Sequence, residues 1–270
     1  QNTLLSMDKF QLGSRFANKI WNASRYILMN LDAAEMGAFD RKALAVEDRW
    51  ILSRLQKTAA QIRENMAAYR LNDVATGIAH FFRDDFCDWY IELSKKRLYS
   101  EDAAVKKTVI SVLGHVLEHA LRLLHPVMPF ITEEIYGKLP TTEGSILAAA
   151  YPQADTALHD EEAEAAVALL QELVTGIRNV RAEMRVPPEK QCPLTIRPGS
   201  AEQEALFRTL EEQLKGLARI TAVEYNAQAA KPASAAAGVG SGYEFFIPLA
   251  GLIDITAEKA RLEKECARLA

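Results

Sequence analysis

LGSRFANKIWNASRYILMNL, residues Leu12–Leu31, is the stretch on which the reading of this chain turns. At about 100° per residue it divides into two neighbouring stripes. Leu12, Phe16, Ile20, Ala23, Ile27 and Leu31 recur as one apolar helix face, predicted to dock on a larger body. Arg15, Lys19, Asn22 and Tyr26 fall beside them in a second, nearly straight row. Cations meet phosphates, amides meet base edges, and flat rings stack on bases, so this row suits a single-stranded nucleic acid. An ordinary solvated helix face carries the same residue types, so the row alone leaves both readings open.

The totals narrow the setting. Hydrophobic residues make up 49% of the 270 and charged ones 25%, the balance of a globular protein with a full core in one large domain or two of ordinary size. No apolar run approaches the ~20 residues of a membrane span, and no signal peptide is present. The chain starts at Gln1 instead of methionine, which suggests a piece of something longer. Cys87, Cys192 and Cys266 are odd in number and far apart, so neither a disulfide framework nor a zinc knuckle follows, and a reducing cytoplasm is expected. Net charge is −4, whereas a generic duplex binder is basic. Any nucleic-acid contact therefore needs a local patch, and Lys9 to Arg25 holds four cations and no acidic residue.

Downstream, Glu47–Tyr69 is predicted as a helix burying Ile51, Leu55, Ala59, Ile62 and Met66, with Arg54, Lys57, Gln61 and Glu64 solvated. Asn72 is a candidate N-cap for a long third helix to about Leu98, with Phe82, Phe86, Trp89 and Leu93 as its core stripe. Asp84 and Asp85 diverge by ~100° and make no acid–base pair. Lys95, Lys96 and Arg97 suit the helix dipole without further partners. Ser100 is the expected cap of a fourth helix ending near His125-Pro126. His115-Val116-Leu117-Glu118-His119 has the form of a zinc-peptidase motif. The packing stripe through Leu113, Val116, Leu117, Leu121 and Leu124, with no third ligand in evidence, argues for a plain structural helix and no metal. Pro126 and Pro129 break that helix before a short one near Thr132, and Thr141–Asp160 is expected to be a surface connection.

Glu161–Arg185 returns to helix, burying Ala165, Leu169, Leu173, Ile177 and Val180. Its Arg178, Arg181 and Arg185 suit either the helix C-terminus or a nucleic-acid backbone. Beyond it come strand candidates Pro193–Arg197, Ile220–Tyr225 and Tyr243–Ile247, and an amphipathic helix Ala201–Leu217. AQAAKPASAAAGVGSG between the last two strands is expected to be a mobile hairpin loop. Ile255, Leu262 and Leu269 stand a heptad apart, as at the start of a coiled coil.

Four stretches in order, NKIWNASRYILMNL, DFCDWYIELSK, HPVMPFITEEIY and PLAGLIDITAEKARLEKE, resemble the valyl-tRNA synthetases. The third is shared with the isoleucine and leucine enzymes; the fourth, leading into a coiled-coil arm, is the most specific. The resemblance implies a mainly α fold. It comprises a helical-bundle anticodon-binding domain over 1–150, a linking helix packed on the bundle over 151–190, a small α+β subdomain over 191–255, and the start of a coiled-coil arm over 256–270. It further implies anticodon contacts at Lys19, Arg25, Tyr26, Ile91 and Glu92, to which the helical row adds Asn22. Arg15, Arg178 and Arg181 are candidates for the tRNA backbone. Phenylalanine is common in the family where Tyr26 stands, so its hydroxyl has no assigned role, and Arg25 lies about a quarter turn off the row. The family enzyme is expected to be a cytoplasmic monomer with no membrane partner, joining valine to tRNA(Val) with ATP and magnesium. Neither His-Ile-Gly-His nor Lys-Met-Ser-Lys-Ser occurs here, so this chain is expected to hold no cofactor and do no catalysis. An isoleucyl-type enzyme or a helical interaction module without RNA remains the alternative.

Overall fold

In a computed structural model the described residues are 7–31, 39–253 and 266–268. They form two compact units that divide after Glu164.

The first unit is helical. Its elements are α1 (Met7–Asn30), α2 (Val46–Ala67), α3 (Leu71–His80), α4 (Ile91–Leu98), α5 (Ala103–Leu124) and α6 (Pro129–Tyr136). A ten-residue π-helical stretch, Phe81–Tyr90, joins α3 to α4, so one continuous helix runs from Leu71 to Leu98. Its core is aliphatic on α2 and α5 (Ile51, Leu52, Leu55, Val116, Leu117, Leu121) and aromatic on the π stretch (Phe81, Phe82, Phe86, Tyr90). The wider π turn changes which residues point inward. Tyr90 is fully buried and Trp89, predicted as core, is only half-buried.

Several expectations shift locally. Asp102, not Ser100, caps α5, accepting from the Ala104 and Val105 amides. The long third helix starts at Leu71, one residue before the predicted Asn72 cap. On α1, Ile20 and Ile27 are fully buried, but Leu12 is 63% exposed. Of the α2 residues expected to be solvated, Gln61 and Glu64 are exposed, whereas Arg54 and Lys57 are half-buried in ion pairs. Arg54 pairs with Asp85 at 3.0 Å and Lys57 with Glu164 at 2.9 Å. Arg49 pairs with Asp160 at 2.8 Å, and the Gln56 carbonyl accepts from the Asp155 amide. The 141–160 connection is therefore tied along α2 by polar bonds that periodicity does not display.

The second unit begins within α7 (Glu161–Glu183) and holds β1 (Cys192–Pro198), α8 (Ala201–Thr209), α9 (Glu211–Ala218), β2 (Ile220–Tyr225), β3 (Ala235–Gly240) and β4 (Tyr243–Pro248). The sheet order is β2-β1-β4-β3, with β1 and β2 parallel across the α8–α9 crossover and the other pairs antiparallel. The predicted single helix Ala201–Leu217 breaks at Leu210. On α7 the buried apolar residues are Ala163, Ala166, Val167, Leu170, Leu173, Val174 and Ile177, so the predicted Leu173 and Ile177 face inward, whereas Ala165 is exposed and Leu169 and Val180 are half-buried.

The supposed hairpin loop contains a strand. Ala235–Gly240 pairs along all of β4, and its glycines are the reason. A Cβ on Gly238 would lie 2.1 Å from Phe245 Cζ, and one on Gly240 would lie 2.2 Å from Tyr243 Cζ. Each ring of β4 lies over a bare backbone on β3, so the aromatic partner compensates for residues of poor strand propensity. The predicted coiled-coil start, with Ile255, Leu262 and Leu269, lies outside the described residues apart from 266–268.

Candidate nucleic-acid interface

The site is built where α1 lies beside the helix that runs through the π stretch into α4. Phe16 meets Phe82 edge to face at 6.3 Å, Lys19 meets Asp88, and Tyr26 meets Tyr99. These pairs ascend together, so the two helices run side by side in the same direction. On α1, Lys19, Asn22 and Tyr26 project along one edge; Asn22 is exposed and the other two are half-buried. Along the facing edge stand Asp88, Glu92, Lys95 and Tyr99 at helical spacing.

Between these edges the polar contacts form one strip. Lys19 Nζ lies 2.6 Å from Asp88 Oδ1, and Lys95 Nζ lies 2.6 Å from Glu92 Oε1. The Lys95 ammonium also stands 5.9 Å from the centroid of the Tyr26 ring, within cation–π range. The Tyr26 and Tyr99 hydroxyls are 3.2 Å apart and share a hydrogen bond. Burial, followed by this bond and the nearby charges, holds the Tyr26 phenol well above its ordinary pKa, so it stays neutral. The hydroxyl thereby acquires a role in orienting the ring. With two cations and two carboxylates the strip has no net charge, and it offers a ring, an amide, cations and carboxylates to a partner.

The predicted residues divide accordingly. Lys19, Asn22, Tyr26 and Glu92 come together on the strip. Ile91 is 6% exposed and forms the wall behind it. Its amide donates to Phe86 O in the π pattern, which sets Glu92 outward while Ile91 turns in. Arg15 and Arg25 are exposed on α1, outside the paired row. Arg178 and Arg181 belong to the second unit. Arg178 is exposed and donates to Leu217 O at 3.3 Å. Arg181 needs correction as a backbone-contact candidate. It is only 8% exposed and donates to the Lys190 and Pro187 carbonyls at 2.6 and 3.3 Å, bracing the turn into β1. A side chain so enclosed presents little surface to a phosphate.

Arg97 is a second correction. It bridges Glu47 at 3.1 Å and Asp48 at 2.7 Å, and Tyr90 donates its hydroxyl to Asp48 at 2.7 Å. Asp88, Lys95 and Tyr99, which the structure sets against the α1 row, were not among the candidates read from the sequence. The signal was present as the 88-92-95-99 row, but it could be recognised only by knowing that α1 faces it.

The histidine pair packs within the bundle. His119 Nδ1 lies 2.9 Å from His115 O and 2.8 Å from Glu118 Oε2, while its Nε2 is 3.1 Å from Arg122, so both ring nitrogens are engaged. The His115 ring packs 4.0 Å from that of His119. Among the described residues, no group of three or more metal-ligating side chains converges. Burial, reinforced by the neighbouring His119, pushes the His115 pKa down to about 3. The unfolded chain binds this proton below pH ~6.5 while the folded chain does not, so His115 lowers stability as pH falls from ~6.5 towards 3. We expect urea melts of His115→Gln and the parent to converge or cross on acidification, the parent losing up to about 1.4 kcal/mol more per pH unit below pH 6. Parallel losses in the two proteins would contradict a neutral buried imidazole.

Among the described residues no helix is long and apolar enough to cross a membrane. Residues 48–196 match the family described as the anticodon-binding domain of tRNA ligase. The chain is 41% identical over 270 residues to a valine–tRNA ligase of Bacillus cereus, covering 98% of this chain and 30% of that protein. A valine–tRNA ligase of Geobacter sulfurreducens is 43% identical over 258 residues, 94% of this chain and 29% of its own length. One from Enterococcus faecalis is 39% identical over 268 residues, 98% of this chain and 30% of its own. The chain thus spans about 30% of the length of these relatives.

Proposed function

This chain belongs to the family of anticodon-binding domains of tRNA ligases, and on that premise we propose that it reads the anticodon of a valine tRNA through the strip between α1 and α4. The observation that carries the reading is the juxtaposition of Lys19, Asn22 and Tyr26 with Glu92, Lys95 and Tyr99 along one pair of helices. In this reading the Tyr26 ring stacks on an anticodon base and Lys19 reaches a phosphate or base edge. Lys19 and Tyr26 stand about 10 Å apart along α1 at ~1.5 Å per residue, enough to serve neighbouring groups of one strand. Asn22 meets a base edge, and Ile91 supports the floor from behind. Glu92 cannot attract phosphate, so its carboxylate accepts from a base amino group and supplies selectivity. Arg15, Arg25 and Arg178 provide backbone contacts.

The relatives' name supports the wider proposal that the protein containing this chain joins valine to tRNA(Val); a cytoplasmic monomer is our proposal for its setting. ATP and magnesium then act in other parts of that protein, and this chain contributes recognition without the chemistry. The test is a titration of anticodon stem-loops bearing valine, isoleucine and scrambled anticodons against the chain and its Glu92→Gln variant. We expect the valine stem-loop to bind tightest, and Glu92→Gln to shrink the gap between valine and scrambled stem-loops several-fold with less loss of general binding. Equal binding of all three by the parent would defeat the reading.

A further inference from the structure

The geometry points to Asp88 as a brake on this strip: in the free chain its carboxylate occupies the Lys19 ammonium, and an RNA phosphate must displace it to bind. The inference rests on the strip being the RNA site. Lys19 and Asp88 come from different helices, 69 residues apart, and meet at 2.6 Å. Their side chains are 30% and 53% exposed, so the pair is open to water and able to exchange partners. Among the described residues Asp88 has no second ion pair, since Arg83 is held by both oxygens of Asp84 at 2.7 Å. The same arrangement recurs one step along the strip, where Lys95 covers Glu92 and stands against the Tyr26 ring. Lys19, Glu92, Lys95 and the Tyr26 hydroxyl are therefore satisfied internally, and binding at the charged groups becomes an exchange of ion pairs.

The consequence follows from where the charge sits. A phosphate drawn to Lys19 comes within a few ångströms of Asp88. In water, two like charges at ~4 Å shift an equilibrium by about fivefold. Asp88 opposes the phosphate and not the base, so it weakens all RNAs alike and leaves the preference among anticodons unchanged. It keeps non-specific strands off a site whose selectivity resides in Glu92 and the ring.

The experiment titrates the chain, Asp88→Asn and Asp88→Glu with the valine stem-loop, the scrambled stem-loop and oligouridylate, each at low and moderate salt. Asp88→Asn should tighten all three by about 3- to 10-fold, leave the ratio of the two stem-loops within about twofold, and steepen the log–log salt slope by about 0.7–0.9. Asp88→Glu retains the charge and should keep the brake, which separates charge from packing. Circular dichroism melts confirm that both variants are folded. If Asp88→Asn binds no tighter than the parent while the parent still discriminates the stem-loops, the brake is wrong and the strip stands. If Tyr26→Ala and Glu92→Gln also leave binding unchanged, the strip itself falls and the brake with it.

Discussion

Tyr26→Ala should weaken binding of the valine stem-loop by about 5- to 150-fold, the equivalent of the ~1–3 kcal/mol that base–aromatic stacking contributes. The ring is held ready for this task from three sides. Its backbone lies on α1, anchored by the fully buried Ile20 and Ile27; its hydroxyl meets Tyr99; and one face is within reach of the Lys95 ammonium. A base that stacks there finds a ring already oriented, so little side-chain entropy is lost on binding. Tyr26→Phe keeps the ring and loses only the bond to Tyr99, so it should stay within about threefold of the parent. Fluorescence anisotropy with a labelled stem-loop measures both. If alanine and phenylalanine behave alike, the ring is not a stacking platform.

The largest effect on stability is expected at Arg97→Met, about 3–5 kcal/mol destabilising in urea unfolding. Glu47 and Asp48 are 1% and 0% exposed, and the Arg97 guanidinium is their shared counter-ion. Asp48 has further support from the Tyr90 hydroxyl and the Ala45 amide. Burial, with Asp48 adjacent, already raises the Glu47 pKa despite the opposing guanidinium. Removing Arg97 deprives both carboxylates of that counter-ion and raises the Glu47 folded-state value further. A carboxyl whose folded pKa is raised costs stability above its unfolded value of ~4.3, and the cost is relieved as pH falls through the folded pKa. The Arg97→Met penalty should therefore shrink on acidification from pH 7 to 5, and Asp48→Asn in the same background should recover part of it. A penalty below about 1 kcal/mol, or one independent of pH, would show that Arg97 does not neutralise this pair.

What the sequence by itself determined is what depends on neighbours a few positions away. The buried Ile20 and Ile27 of α1, the apolar stripe of α5 and the bounds of β2 all follow from periodicity or local backbone chemistry. So does the row Lys19, Asn22, Tyr26, because α1 alone fixes it. Tertiary structure decided which charges are free and which are spent. Arg97 and Lys95 stand two residues apart on one helix, yet the first turns inward to carboxylates 49 and 50 residues away and the second lines the strip. Arg181 was indistinguishable from Arg178 until the turn into β1 enclosed it. The AAAGVG segment became a strand only because β4 laid Phe245 and Tyr243 over its glycines. A side chain's period is set by its own helix or strand. Its partner, and hence whether a charge is buried, braced or available to RNA, is set by a surface contributed from elsewhere in the chain, which no local pattern contains.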